Sequence, residues 1–104
     1  MDKKEHINSL KEFKKNLSKL VFINKMILFG SRAYDTPKKW SDFDLIIVSK
    51  DFRNKISFRR SLGFYKYWNL DYPVDFLCYT PEEFNKLRKQ ITIVKEAVEN
   101  GIEI

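Results

Sequence analysis

The chain has 104 residues, with 20 Lys and Arg against 14 Asp and Glu, which gives a formal charge of +6 at pH 7. Its 43% hydrophobic content and its three Gly and three Pro exclude a disordered or fibrous protein and predict one compact domain over residues 1–104. No segment approaches the ~18 apolar residues of a membrane span, and the N-terminus lacks the apolar stretch of a signal peptide. A single cysteine, Cys78, fits a reducing compartment. We therefore expect a cytoplasmic protein that prefers polyanionic partners such as nucleotides or RNA.

The first half of the chain predicts one helix and two strands. Apolar residues recur at helical spacing over 4–20, with lysines between them, which indicates a surface helix packed on a core. The short apolar run 26–29 stops at Gly30, as a buried strand that leads into a tight turn would. The run 43–48, FDLIIV, is rich in β-branched residues and predicts a second strand.

The second half predicts two helices, a third strand and a short last strand. Residues 56–68 favour a helix that Gly63 weakens, and 73–79 predict a strand. A helix begins at TPEEF, with Thr80 as N-cap, and another covers 91–99 and ends at a left-handed cap at Asn100-Gly101. The final Ile-Glu-Ile can add an edge strand. The predicted fold class is α/β (α+β), a small mixed sheet packed with helices.

Basic residues concentrate between positions 50 and 66, where only Asp51 opposes them. The pattern fits a solvated helix face, and it also fits a surface that binds phosphate or RNA. The six basic residues are Lys50, Arg53, Lys55, Arg59, Arg60 and Lys66.

Two aspartates stand one residue apart where the second strand begins. Because side chains alternate along a strand, Asp42 and Asp44 point to the same side. Like charges so close repel unless they are protonated or bridged by a cation, and oxygen ligands at this spacing suit Mg²⁺ or Mn²⁺. The alternative is that Asp42 caps a turn and Asp44 is an ordinary solvent-facing residue.

Asp75 strengthens the metal interpretation, because it interrupts an apolar run in the third strand, where a lone charge would be costly. If the second and third strands are adjacent, Asp75 joins Asp42 and Asp44 in a site able to hold two divalent ions. Upstream, Gly30 permits a close turn after a strand, and Ser31 offers a hydroxyl and an amide to phosphate oxygens.

These residues together form the pattern G-S-x(9)-S-D-x-D, followed by a third aspartate in a later strand. The chain resembles the minimal nucleotidyltransferases of the DNA polymerase beta superfamily over nearly its whole length, and the resemblance implies the nucleotidyltransferase fold. It implies that Asp42 and Asp44 bind two Mg²⁺ ions and that Asp75 binds one of them and helps to deprotonate an acceptor hydroxyl. Attack on the α-phosphate of ATP would then release pyrophosphate. The residues that would bind the nucleotide are Gly30, Ser31, Arg32 and Ser41.

The resemblance also implies a partner. Minimal nucleotidyltransferases are commonly antitoxins of HEPN-domain ribonuclease toxins, and the acceptor is a tyrosine hydroxyl of the toxin. Two alternatives stay open: an inactive antitoxin that neutralises its partner by binding alone, and an RNA-directed nucleotidyltransferase. Homo- or hetero-oligomers are possible. Asp35 departs from the glycine of many relatives, and a carboxylate pointing towards a triphosphate would be unfavourable.

Three residues are assigned structural roles at this stage. His6 lies near the N-terminus and is predicted to be a solvated helix residue. Cys78 is predicted to be a small core residue, not a nucleophile. Trp40 either stacks on an adenine or packs against its own loop.

Overall fold

A computed structural model describes residues 3–34 and 41–104 of the chain. The described part contains three α-helices and four β-strands, joined in several places by single 3₁₀ turns. None of its helices is long and apolar enough to cross a membrane. In chain order the elements are α1 (Lys3–Leu17), β1 (Lys25–Phe29), β2 (Phe43–Val48), β3 (Val74–Tyr79), α2 (Pro81–Leu87), α3 (Ile93–Asn100) and β4 (Ile102–Glu103).

The four strands form one mixed sheet in the order β3-β2-β1-β4. β1 runs antiparallel to both β2 and β4, whereas β2 and β3 are parallel. The predicted mixed α+β sheet and the predicted edge strand at the end of the chain are thus confirmed. Because β2 and β3 are parallel neighbours, the residues at which the two strands begin lie side by side.

Alternating side chains of β2 supply two separate hydrophobic clusters, one on each face of the sheet. Phe43, Leu45 and Ile47 pack with α1, and Ile46 and Val48 pack with α2 and α3. Burial on both faces explains why the strand is apolar almost throughout. Asp44 shares its face with Ile46, so it lies on the side that α2 and α3 cover.

The N-terminus of α2 forms as its sequence predicts. The Thr80 hydroxyl accepts a hydrogen bond from the Glu83 amide at 3.1 Å, and Glu83 Oε1 accepts one from the Thr80 amide at 2.8 Å. The two bonds make a capping box that satisfies two amides left free by the helix. The last helix begins at Ile93, two residues later than predicted, because Thr92 caps it by accepting from the Lys95 amide.

The prediction of a helix over 56–68 is wrong. This segment forms two 3₁₀ turns, Ser57–Arg59 and Phe64–Tyr67, separated by Gly63 with φ of +86°. A residue in the left-handed conformation cannot continue an α-helix, so Gly63 interrupts the segment. Apolar spacing alone is therefore not enough to predict a helix here.

The predicted left-handed cap at Gly101 is also wrong, since this glycine is extended, with φ of −82° and ψ of −177°. Its lack of a side chain serves close packing instead. A Cβ there would lie 2.4 Å from the Ala97 carbonyl oxygen and 2.7 Å from the Leu28 carbonyl oxygen. The glycine therefore lets the chain pass tightly from α3 into β4.

His6 corrects a third expectation, because it is buried and not solvated. Its side chain lies on the core side of α1 with only 8% of the residue exposed. The imidazole packs edge-on against Phe43 at 5.2 Å and Tyr72 at 5.6 Å between ring centroids. It therefore stabilises the attachment of α1 to the sheet.

Gly101→Ala is expected to destabilise the fold by roughly 1–3 kcal/mol, because the added methyl would meet two backbone oxygens that cannot rotate away. Urea denaturation followed by circular dichroism measures the loss. Asn100→Ala, one residue earlier on exposed helix, is the control and should change the midpoint little. Equal midpoints for Gly101→Ala and the wild type would contradict the packing described here.

Candidate active site

The turn that follows β1 brings its backbone directly against a carboxylate. Gly30 has φ of +74° and opens a 3₁₀ turn, Gly30–Arg32, closed by a hydrogen bond from the Ala33 amide to the Gly30 carbonyl. A Cβ on Gly30 would lie 2.5 Å from Asp44 Oδ2. Position 30 therefore requires glycine for two reasons: the backbone has a positive φ, and the Asp44 carboxylate occupies the space that a Cβ would need.

The three aspartates meet at one end of the sheet. Asp42 immediately precedes β2, and Asp44 pairs in register with Asp75 of the parallel strand β3. The adjacency of the two strands, on which the grouping with Asp75 depended, is confirmed. Asp42 and Asp75 are exposed and Asp44 is half-buried.

The environment of Asp44 is unfavourable for its negative charge. Burial raises the pKa of this carboxyl above its ordinary value, and the charges of Asp75 and Asp42 raise it further. Among the described residues no three carboxylate, imidazole or thiol groups are close enough to hold a metal as they stand. The donor chemistry nevertheless fits a hard divalent cation, because positive charge would relieve the repulsion that raises the Asp44 pKa. Asp42, Asp44 and Asp75 are the residues that would hold it.

Arg32 points into the protein. Only 7% of the residue is exposed, and Nε donates a hydrogen bond of 2.9 Å to the Ser41 carbonyl. The guanidinium carbon lies 4.3 Å from the ring centroid of Tyr72 and 4.9 Å from that of Phe43. These contacts favour a structural role, in which Arg32 ties the turn after β1 to the residue before Asp42. The prediction that Arg32 contacts a phosphate is untested, and the inward position of its side chain does not favour it.

The remaining nucleotide-site residues divide between described and undescribed parts of the chain. Ser31 is partly exposed in the turn, and Ser41 contributes its backbone carbonyl to Arg32. Asp35 and Trp40, with the effects predicted for them, lie outside the described residues.

A cleft of about 470 Å³ opens beside Asp44 and Asp75. Its walls are mostly apolar, and they include one carboxylate that the sequence interpretation missed, Glu96 of α3. Glu96 Oε1 accepts a hydrogen bond of 3.1 Å from the hydroxyl of Tyr34. The cleft is lined by Phe29, Gly30, Asp44, Asp75, Phe76, Leu77, Ile93 and Glu96.

Tyr34 and Glu96 connect the segment after the Gly30–Arg32 turn to the last helix. Burial and the neighbouring Glu96 carboxylate raise the pKa of the Tyr34 hydroxyl, so it remains a proton donor to that carboxylate. The only signal in the sequence is the spacing of Ile93 and Glu96, which places both on one face of a helix. That spacing becomes informative only once α3 is known to cover this end of the sheet.

The basic segment 50–66 is not a solvated helix face. Arg53 makes a two-pronged ion pair with Glu82, with distances of 2.6 and 3.0 Å. Arg60 is buried and pairs with Glu83 at 2.5 Å, and it also donates to the carbonyls of Lys55 and Cys78. Two of the six cations therefore hold the segment onto α2 and are not available to an external phosphate.

Cys78 is unsuited to nucleophilic chemistry, in agreement with the sequence interpretation. Burial raises the pKa of its thiol to about 12, and the nearby Arg60 offsets only part of that effect. The thiolate, which is the reactive form, is therefore almost absent at neutral pH.

Gly30→Ala is expected to push the Asp44 carboxylate away and so to weaken Mn²⁺ binding, measured by the electron paramagnetic resonance of free Mn²⁺. Gly63→Ala is a matched control, because Gly63 also has a positive φ while a Cβ there makes only an ordinary 3.4 Å contact with Leu20. Both variants should lose about 1 kcal/mol of stability from strain. Only Gly30→Ala should lose metal affinity, and equal affinities would contradict the close approach of Gly30 to Asp44.

The Cys78 thiol is expected to alkylate slowly in the folded protein. At pH 8 a rise in pKa from 9.0 to about 12 lowers the thiolate fraction roughly 1,000-fold, so iodoacetamide should modify Cys78 quickly only in denaturant. Because the unfolded thiol ionises first, alkaline pH above about 9 should also favour unfolding. Mass spectrometry of alkylated protein measures the rate, and rapid labelling of the folded chain at pH 8 would contradict the assignment.

Comparison with known proteins identifies the family of the chain. Residues 8–100 match the family model of the nucleotidyltransferase domain. The structure is similar to the crystal structure of a candidate nucleotidyltransferase from Sulfolobus solfataricus, with a TM-score of 0.68 and 19% identity, covering 97% of this chain and 80% of that one. At this identity the likeness shows the fold alone. No curated protein matches the chain. Because the family model spans nearly all of the sequence, the chain belongs to the nucleotidyltransferase domain family.

Proposed function

We propose that this protein transfers AMP from ATP to a hydroxyl of a partner protein in a Mg²⁺-dependent reaction. The acceptor is a tyrosine of a HEPN-domain toxin, and the protein acts as its antitoxin. The observation that carries the proposal is the pairing of Asp44 with Asp75, next to a turn whose Gly30 leaves room for the Asp44 carboxylate. A phosphate-binding turn beside grouped carboxylates is what nucleotidyl transfer requires.

Each part of the site has a separate task in this mechanism. The turn Gly30–Arg32 holds the triphosphate through its backbone, with the hydroxyl of Ser31 as an additional donor. Asp42, Asp44 and Asp75 would bind Mg²⁺, which would supply positive charge to the phosphate oxygens. Arg32 keeps the carboxylate strand aligned with the turn through the Ser41 carbonyl.

In this proposal Asp75 accepts the proton of the acceptor hydroxyl. It is exposed on β3, the outer strand of the sheet, whereas Asp44 is half-buried between two strands. An incoming hydroxyl can therefore reach the Asp75 side chain from solvent. The acceptor oxygen then bonds to the α-phosphorus, the bond from that phosphorus to the bridging oxygen breaks, and pyrophosphate leaves.

Two structural features bear on the alternatives. An RNA-directed enzyme would depend on the basic segment, yet Arg53 and Arg60 are committed to ion pairs with α2. A purely binding antitoxin needs no grouped carboxylates, and the cost visible in the raised pKa of Asp44 favours a catalytic use for them.

The double substitution Asp42→Asn and Asp44→Asn is expected to lower AMP transfer more than about 100-fold, because it removes two of the three metal-binding charges. The purified protein is incubated with ATP, Mg²⁺ and the product of the neighbouring gene, and mass spectrometry detects the adenylyl group on that product. Asp71→Asn, an exposed aspartate that does not line the cleft, is the control and should keep wild-type activity.

Two results would contradict the enzymatic proposal. One is the absence of an adenylyl group in the wild-type reaction while tight binding to the partner is retained, which favours an antitoxin that acts by contact. The other is extension of an RNA oligonucleotide that depends on the same aspartates.

A further inference from the structure

Large apolar side chains are exposed along the segment between β2 and β3. Ile56, Phe58, Leu62 and Tyr65 lie within ten residues of one another and are each between 60% and 72% exposed. Single exposed apolar residues are ordinary, and only those that share a surface mark a place of interaction. Phe58 lines the groove described next, whereas Ile56 and Leu62 line a separate cavity beside Leu20. We refer to residues 56–65 as the apolar segment.

A groove of about 710 Å³ lies between the apolar segment, β3 and α2. The ion pair of Arg60 with Glu83 joins the segment to α2 along this groove, and Arg60 is buried. The groove is therefore held open by fixed contacts in the free protein. Its lining includes Phe58, Phe76, Leu77, Tyr79 and Leu87.

The outer edge of β3 is closed to an added strand. Two of its outward carbonyls already accept hydrogen bonds from side chains of the preceding segment: Val74 from the Tyr65 hydroxyl at 3.3 Å, and Cys78 from Arg60 at 3.1 Å. An extended peptide, or the β3 edge of a second copy, would have to break both bonds in order to pair. The groove is therefore suited to side chains of a folded partner and not to its backbone.

The charges around the groove are positive. Lys86 lines the groove, and the guanidinium carbon of Arg59 lies 5.9 Å from the ring centroid of Phe58. Neither cation forms an ion pair with the described residues, whereas the carboxylate that lines the groove, Glu83, is neutralised by Arg60. A complementary partner surface carries acidic residues around an apolar side chain.

The groove is continuous with the active-site cleft. Phe76 and Leu77 of β3 line both cavities, and Asp75 precedes them on the same strand. A protein seated in the groove therefore lies next to the carboxylate that would take the acceptor proton. This position next to Asp75 distinguishes the groove from an exposed apolar patch that is unrelated to the reaction.

We propose that the groove between the apolar segment, β3 and α2 docks the acceptor protein, through an apolar side chain flanked by acidic residues. The inference rests on the proposed function, since it assigns the docking surface of the acceptor for that reaction. The concave apolar lining favours a protruding protein side chain over a flat lipid surface or an RNA backbone, both of which would use the basic rim alone.

Phe58→Ser removes the most exposed aromatic residue of the groove and tests the proposal. The probe is a phage-displayed random library of peptides about 12 residues long, selected on the full chain that carries Asp42→Asn and Asp44→Asn, without ATP or Mg²⁺. We expect selected peptides with an aromatic or aliphatic anchor between acidic residues. Their affinity, measured by fluorescence anisotropy, should fall at least about tenfold on Phe58→Ser.

Phe22→Ser is the matched control, because Phe22 is also an exposed phenylalanine and lines neither the groove nor the cleft. It should bind the selected peptides as the parent chain does. Because Phe58→Ser could also disturb folding, Arg59→Glu tests the charge of the rim separately and should weaken binding of the acidic peptides without altering the thermal melt.

Several results would overturn the proposal. They are a library that yields no binder, selected peptides that are basic, peptide binding equal in Phe58→Ser and Phe22→Ser, and dimerisation through Phe58 in light scattering. Tight Phe58-dependent binding to a single-stranded RNA oligonucleotide or to phosphatidylserine vesicles would assign the surface to those ligands instead. Since the selection uses neither nucleotide nor metal, its outcome is independent of whether the protein transfers AMP.

Discussion

The parallel pairing of β2 with β3 is the constraint on which the candidate site depends. It places Asp44 opposite Asp75 in register, and no residue between 49 and 73 needs to take part directly. Antiparallel pairing would put the beginning of one strand beside the end of the other and separate the two carboxylates. Burial, together with the repulsion from Asp75 and Asp42, raises the pKa of Asp44. Without a bound cation, the close carboxylates would lower the stability of the folded protein and serve no purpose.

Two buried arginines then fix the surroundings of this strand pair. Arg32 connects the turn after β1 to the residue before Asp42, and its guanidinium is enclosed by the rings of Phe43 and Tyr72. Arg60 fastens the irregular segment between β2 and β3 to Glu83 of α2. Both residues could be read as ligands for phosphate in a basic sequence, and both use their charge inside the protein. No lysine or arginine lines the cleft, whereas Lys86 lines the groove.

The cleft beside Asp44 and the groove beside α2 are neighbouring cavities with different surfaces. The cleft next to Asp44 is acidic and walled by apolar residues, and the groove next to it is mostly apolar and bordered by Lys86 and Arg59. They share Phe76 and Leu77, so a protein bound in one reaches the other.

The sequence alone determined the strands, the capped helix α2 and the pattern that groups Gly30 with Asp42 and Asp44, because these depend on residues close together in the chain. It also placed Asp75 in a strand of its own. The helix predicted over 56–68 from apolar periodicity did not form. The left-handed cap predicted at Gly101 was also wrong, because contacts with distant residues decide the conformation there. Only the tertiary structure showed that His6 is buried, that Arg32 faces inwards and that Glu96 borders the cleft. Burial and long-range pairing are properties of the packed sheet and helices, so residues far apart in sequence acquire them only when the chain folds.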